Sequence, residues 1–299
     1  MWTFHAMNTE VAVAAPGLTE AAERAFAREV ASMFDATERR FSRFRPDSEL
    51  SALNRASGAV AVSAEMLEVL RAARDHVDAS GGLFDPAIGA ALIAAGYDRS
   101  FVPGALDRDD ASAPPPPARF TELVIDAATA CVQRPLALRI DLGGFLKGRT
   151  VDRAAAAAPR DAMIDAGGDA VVRGDGPEGD GWLVDVEDPA DPDRVLVTLR
   201  LRDRAVATSA PNRRRWRTGA SFAHHLIDPR TGASGRSTLA QVTVVARSAE
   251  RAEVLAKVAF LRGARDGARL LAEDVDVGGV LVARDGTLQV VGAVEVVDA

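Results

Sequence analysis

Hydrophobic positions recur at helical spacing through the first part of the chain and at strand spacing through much of the rest. Residues 2–14 predict a strand, with Val11 and Val13 on one face, ended by Pro16-Gly17. From Thr19 to Arg40, Ala22, Phe26, Val30, Met33 and Phe34 form an apolar helical stripe, and Thr19 is placed to cap it. Phe41 to Ser48 reads as an exit loop, and residues 48–54 as a short helix or turn. A second helix is expected over 63–79, with Ser63 near its start. Ser80-Gly-Gly-Leu-Phe-Asp-Pro86 predicts a turn, with Pro86 as the first residue of another helix. Residues 103–119, which include Pro114 to Pro117, predict an exposed linker.

Beyond Phe120 short apolar runs alternate with turns. Strands are expected over 121–126, 129–133, 137–141, 161–165, 169–173, 182–187, 194–201, 204–208 and 241–246. A helix over 248–261 has Ser248 as its cap and Glu250 and Glu253 in its first turns, where carboxylates suit the helix dipole. A further helical segment is expected over 264–272, and a closing hairpin over 279–282 and 287–291 around Asp285-Gly286. Helices come first and mixed strands and helices follow, without regular alternation. That order predicts an α+β fold in a single domain over 1–299, helical to about 118 and mixed from about 119.

Composition adds bounds. The chain has 299 residues, 47% hydrophobic and 26% charged. Those proportions are those of a globular protein large enough to bury about 75% of its unfolded surface. A net charge of −7 argues against a general nucleic-acid binder and suits a small ligand held by local basic residues. The one cysteine, Cys131, excludes an intramolecular disulfide and reads as a buried structural thiol on a strand. The first residues show no basic region followed by an apolar run, and no stretch is apolar enough to span a membrane, so a cytoplasmic protein is expected.

The stretch with most chemical content is Arg139-Ile-Asp-Leu-Gly-Gly-Phe-Leu-Lys-Gly148. Leu138 and Ile140 suit a strand, Gly143 and Gly144 a tight turn, and the alanines to Ala158 a helix. A helix start with Lys147 beside it suits a phosphate. Asp141 suits a ring edge or a cation. A plain connecting turn is the alternative. His224-His225 adjoin on a strand and face opposite sides, which favours structural or substrate contacts over a shared metal. Ile164-Asp-Ala-Gly-Gly-Asp169 reads as a glycine hairpin. The arginines 213–215 read either as a solvated run or as phosphate contacts.

Taken in order, these stretches resemble the ApbE family of FAD:protein FMN transferases. The resemblance rests on Met7-Asn-Thr9, Phe41 to Asn54, Gly82-Leu-Phe-Asp-Pro86, Asp141 to Gly148, Asp165-Ala-Gly-Gly-Asp169 and His225-Leu-Ile-Asp-Pro-Arg-Thr-Gly232. It implies a mixed fold of two lobes with FAD in a cleft between them. It also implies transfer of FMN from FAD to a threonine hydroxyl of an acceptor flavoprotein, with Mg²⁺ and with release of AMP. Met7 would line the flavin site. Leu83, Phe84 and Asp85 would contact the nucleotide, Asp141 and Lys147 would bind FAD near the reacting groups, and Ile227 would pack against the cofactor. An FAD-binding or FAD-hydrolysing relative, or a scaffold that kept only the fold, are the alternatives.

The chain departs from the family pattern where a metal is expected. The family helix reads Ala-Asp-x-Leu-(Ala/Ser)-Thr, and here it reads Ala252-Glu-Val-Leu-Ala-Lys257. Glu253 and the Gly144 region are the expected Mg²⁺ ligands, with Lys257 in the threonine's place. Either Lys257 replaces part of the metal's charge, or it swings aside and the ion binds through Glu253, Gly144 and waters. Asn8 stands in place of the family glycine, and Ala210-Pro-Asn212 replaces a Gly-x-Tyr-like stretch.

Overall fold

A computed structural model describes residues 1–110 and 112–298. Residue 111, in the expected linker, and residue 299, at the end of the expected domain, lie outside the described residues. The chain divides into two compact units, each gathered from separated segments. The first comprises Met1–Ala36, Phe145–Ala210 and Ser237–Ala299, and the second Thr37–Gly144 and Pro211–Arg236. Helices with antiparallel sheets make the α+β class expected from the sequence.

The first unit is built on an eight-stranded sheet. Its spatial order is Trp2–Ala6, Thr9–Ala14, Ala162–Ala166, Asp169–Arg173, Arg204–Ser209, Leu239–Ala246, Gly278–Ala283 and Leu288–Gly292, every neighbour antiparallel. Side chains alternate across it, as the strand period requires. Val171 joins Val11, Val13 and Ile164 against Phe26, Val30 and Phe34 of the helix Glu20–Phe41 and Val151 of the helix Leu146–Ala156. Ala170 and Val172 face the other way, onto Trp182, Val197 and Leu199 of a three-stranded sheet. Both faces are therefore covered, and the central strands read as near-continuous apolar runs.

The strand expected over 2–14 is a hairpin. Ala6 pairs with Thr9, and Met7 and Asn8 turn the chain at φ 48° and 61°. A two-residue hairpin turn needs positive φ at both central positions, which asparagine tolerates and methionine rarely adopts. The helical span Ala249–Ala272 is broken at Gly263, whose φ of 80° only glycine adopts freely, so the two helices expected at 248–261 and 264–272 are both present.

The second unit holds the helices Glu49–Arg55, Ala64–Ala79 and Gly89–Ala94 and several short hairpins. Pro86 does not open a helix; the residues from it lead into Gly89–Ala94. Nor is 137–141 a strand. One bridge joins Arg139 to Ile88, and the Asn54 side chain accepts from Ile140 N and donates to Ile140 O, both at 2.8 Å. A side-chain amide there replaces a ladder partner. Arg134, 5% exposed, donates to the carbonyls of Leu53, Asn54 and Ala56 at the end of Glu49–Arg55. It thereby satisfies the orphan carbonyls of that helix end. Cys131 is half-buried rather than buried.

In the first unit, two helices cap each other. Asp152, from Leu146–Ala156, accepts from Ala249 N and Glu250 N at 2.8 and 2.9 Å. Glu253, from Ala249–Ala272, accepts from Gly148 N at 3.0 Å. Gly148 makes this approach possible, because a Cβ there would lie 2.6 Å from the Ala249 carbonyl. Burial pushes the Asp152 carboxyl up from 3.8 to about 6, against the two backbone hydrogen bonds. Between those values the folded chain keeps a proton that the unfolded chain has released. For this group, stability therefore falls as pH rises from about 4 to about 6 and is level above that. Asp152→Asn is expected to flatten that slope in thermal melts. Asp152→Ala is expected to cost about 1–3 kcal/mol by orphaning two N–H groups. A pH profile for Asp152→Asn parallel to the parent's would show that Asp152 does not titrate there.

Candidate active site

In the first unit, Lys147, Asp169, Glu253 and Lys257 form a charged group in which the carboxylates are buried and the lysines half-buried. Lys147 sits in the first turn of Leu146–Ala156. Its Nζ donates to Asp169 Oδ2 and to Ala166 O, both at 2.7 Å. Asp169 begins the strand Asp169–Arg173, and its side chain is 4% exposed. Burial pushes its carboxyl up, the ammonium of Lys147 pulls it down, Glu253 adds to the rise and Lys257 opposes it. Glu253 and Lys257 are one turn apart, in the favourable order for a helical ion pair. Lys257 Nζ lies 3.0 Å from Glu253 Oε1, and Glu253 Oε2 takes the Gly148 N–H.

The sequence left two readings of the start of Leu146–Ala156. Its Gly148 N–H holds the protein's own carboxylate, Glu253, and its Arg149 N–H bonds Phe145 O at 3.0 Å. The dipole end that suits a phosphate therefore already faces a negative charge.

In the second unit Asp141 accepts from Gly143 N at 2.8 Å and pairs with Arg43 Nε. The Arg43 side chain is 8% exposed. Its guanidinium lies 4.0 Å from the Phe44 ring centroid and 4.8 Å from that of Tyr97. Its Nη2 is buried without a hydrogen-bond partner among the described residues. Tyr97 packs in turn on Trp216, and Arg214 reaches the Tyr97 hydroxyl at 3.2 Å. Burial pushes the Tyr97 hydroxyl's pKa up. Ile227 is buried in this cluster with Leu92, Tyr97 and Trp216.

The other expected contacts are placed as follows. Phe84 is buried edge-on to His76. Asp85 is buried and accepts from Ala87 N and Phe120 N, so its carboxylate organises its own turn, and burial pushes its pKa up. Leu83 and Gly144 are half-buried in the second unit, and Met7, half-buried, turns the first hairpin of the first unit. His224 is tied to Ser234 and Gly235, a structural role. The arginine run is not simply solvated, since Arg214 bonds Tyr97 and Arg215 stacks 3.9 Å over Phe222. Sequence reading missed Arg43 and Tyr97. The signal for Arg43 was its place inside the stretch Phe41 to Asn54 that carries the family resemblance.

The surroundings of Glu253 do not fit a divalent cation. A protonated lysine cannot ligate a metal, and Lys257 already sits against one carboxylate oxygen. Among the described residues no group of three or more His, Cys, Asp or Glu side chains is gathered to hold a metal ion.

The fold belongs with the flavin transferases of known structure. An ApbE protein of Thermotoga maritima superposes with a TM-score of 0.84 at 23% identity, over 97% of this chain and 96% of that one. The flavin transferase ApbE from Vibrio cholerae gives 0.78 at 21% identity, over 99% and 96%. A model of the ApbE family matches residues 7–281, and the chain belongs to that family. An FAD:protein FMN transferase of Rhodobacter capsulatus is 31% identical over 285 residues, covering 91% of this chain. This chain spans 53% of the length of that relative. One of Treponema pallidum is 29% identical over 298 residues, covering 91% of this chain and 82% of its own length.

Proposed function

We propose that this chain is an FAD:protein FMN transferase. What carries the reading is the family match, which runs through all six motifs from Met7 to Gly232. The acceptor is a flavoprotein presenting a threonine. Its Oγ bonds to the FMN phosphorus of FAD, the P–O bond to the AMP phosphate breaks, and AMP leaves with the bridging oxygen. The threonine proton passes to water or to the phosphate of the departing AMP, which balances the step. Such a transfer asks for positioning and charge neutralisation more than for covalent help from the protein.

The side chains divide that work. Arg43 offers a planar cation with a free donor, and Asp141, held by Arg43 and Gly143, offers carboxylate oxygens to a ring or ribose donor. Phe44, half-buried, supplies aromatic surface for a flavin or adenine ring, backed by the buried Tyr97 and Ile227. Lys147 brings positive charge for the diphosphate, with Asp169 fixing its position. Mg²⁺ would supply such charge in the reaction the resemblance implies. No described helix is long and apolar enough to cross a membrane. We place the reaction in the cytoplasm, where a chain with one cysteine needs no oxidising partner.

The test is incubation with FAD and a threonine-bearing flavoprotein subunit. The expected result is an acceptor heavier by one FMN less water, with one AMP per FMN transferred. AMP and FMN released without a labelled acceptor would replace the transferase with an FAD hydrolase. No FAD consumed and no flavin bound would leave only the fold.

A further inference from the structure

We propose that Lys257 takes the place of a divalent metal ion beside Glu253, so that this chain needs no Mg²⁺. The inference rests on the transferase reading for its catalytic half, and on geometry alone for its metal-binding half.

The geometry is a closed charge balance. Two ammonium groups face two carboxylates in the interior of the first unit. Lys147 meets Asp169 at 2.7 Å, and Lys257 meets Glu253 at 3.0 Å. The side chains of Asp169 and Glu253 are each 4% exposed. The two pairs adjoin, because Glu253 accepts from the N–H of Gly148, the residue that follows Lys147. The group is neutral without any added ion. A divalent cation seated on Glu253 would leave it with two excess positive charges at half-buried ammonium groups, which is unfavourable.

Coordination points the same way. Mg²⁺ bonds oxygen at about 2.0–2.1 Å and demands near-octahedral geometry. One oxygen of Glu253 already carries the Lys257 ammonium, and the other the Gly148 N–H. An ion at bonding distance from the first oxygen would sit against the ammonium. Lys257 cannot relax far without loss, since it also donates to the Glu253 backbone carbonyl at 3.3 Å. Glutamate and lysine fit each other across one helical turn because both arms are long. The same helix with a shorter, neutral side chain at position 257 would leave the Glu253 carboxylate short of one positive partner. A metal ion would then be stabilising there.

The experiment uses chelator-treated full-length protein and reads metal binding separately from chemistry. Mg²⁺ is titrated into the parent, Lys257→Thr and Lys257→Met, each without FAD, and thermal unfolding and calorimetric heat are followed. The parent is expected to show no saturable heat and no shift in Tm up to millimolar Mg²⁺. Lys257→Thr is expected to melt lower than the parent without metal and to regain about 5 °C or more with Mg²⁺. Lys257→Met, which lacks a ligating oxygen, is expected to melt low and regain less. FMN transfer by the parent is expected to change less than twofold between EDTA and Mg²⁺. A saturable Mg²⁺ shift in the parent would overturn the proposal, as would transfer that stops in EDTA and returns with Mg²⁺. If both variants fail to fold, the parent's titration still decides the matter. If the parent handles no flavin, the transferase reading falls while the titration still decides whether Lys257 holds the cation's place.

Discussion

Replacing Lys147 with alanine is expected to lower folding stability by about 3–5 kcal/mol, the cost of stranding a buried charge by removing its partner. Asp169 would be left on a covered strand with its Lys147 partner gone, and the Ala166 carbonyl would lose its donor as well. Denaturant unfolding measures this directly. The double variant Lys147→Met/Asp169→Asn removes both charges together and is expected to recover most of the loss. It is not expected to recover FAD binding, because the ammonium is then absent. A Lys147→Ala protein within about 1 kcal/mol of the parent would mean that the pair is not desolvated as described. Flavin affinity restored in the double variant would confine Lys147 to holding the fold.

The second large effect is expected at Arg43. Arg43→Ala removes the ion partner of Asp141 and the cation that lies against the Phe44 and Tyr97 rings. It also removes Nη2, a buried donor without a partner among the described residues. A hydrogen bond from a charged group contributes about 1.5–3 kcal/mol, so FAD affinity is expected to fall about 10- to 150-fold. Arg43→Lys keeps the charge but not the planar fork, and is expected to recover only part of the affinity. Asp141→Asn keeps the size and shape and is expected to weaken binding less than Arg43→Ala. Flavin fluorescence titrations give all three numbers. Equal affinity in the parent and Arg43→Ala would remove the aromatic and arginine cluster from the flavin site.

Much of this was legible in the residues. The stripe on Thr19–Arg40 and the caps at Ser63 and Ser248 are local devices, and the helices Glu20–Phe41, Ala64–Ala79 and Ala249–Ala272 start where those devices place them. Strands over 169–173 and 182–187 appear with those bounds, because their composition and flanking turns leave no competing local structure. Residues 2–14 misled because a reversal at Met7-Asn8 lacks the glycine that marks most such turns. Residues 137–141 misled because apolar alternation describes extended backbone equally well when a side chain, Asn54, satisfies it instead of a strand.

The sequence by itself determined the helices, most of the strands, the α+β class and the family, because caps, periodicity and motif order are written over short distances. It also set Lys257 one turn after Glu253. Tertiary structure alone decided what those residues do. It brought Asp152 and Glu253 to cap each other's helices across a contact that only Gly148 permits. It set Lys147 on Asp169 and Arg43 on Asp141, partners 22 and 98 positions apart in the chain. Burial and pairing of charge are properties of the packed interior, and no local pattern encodes which distant carboxylate an ammonium will meet.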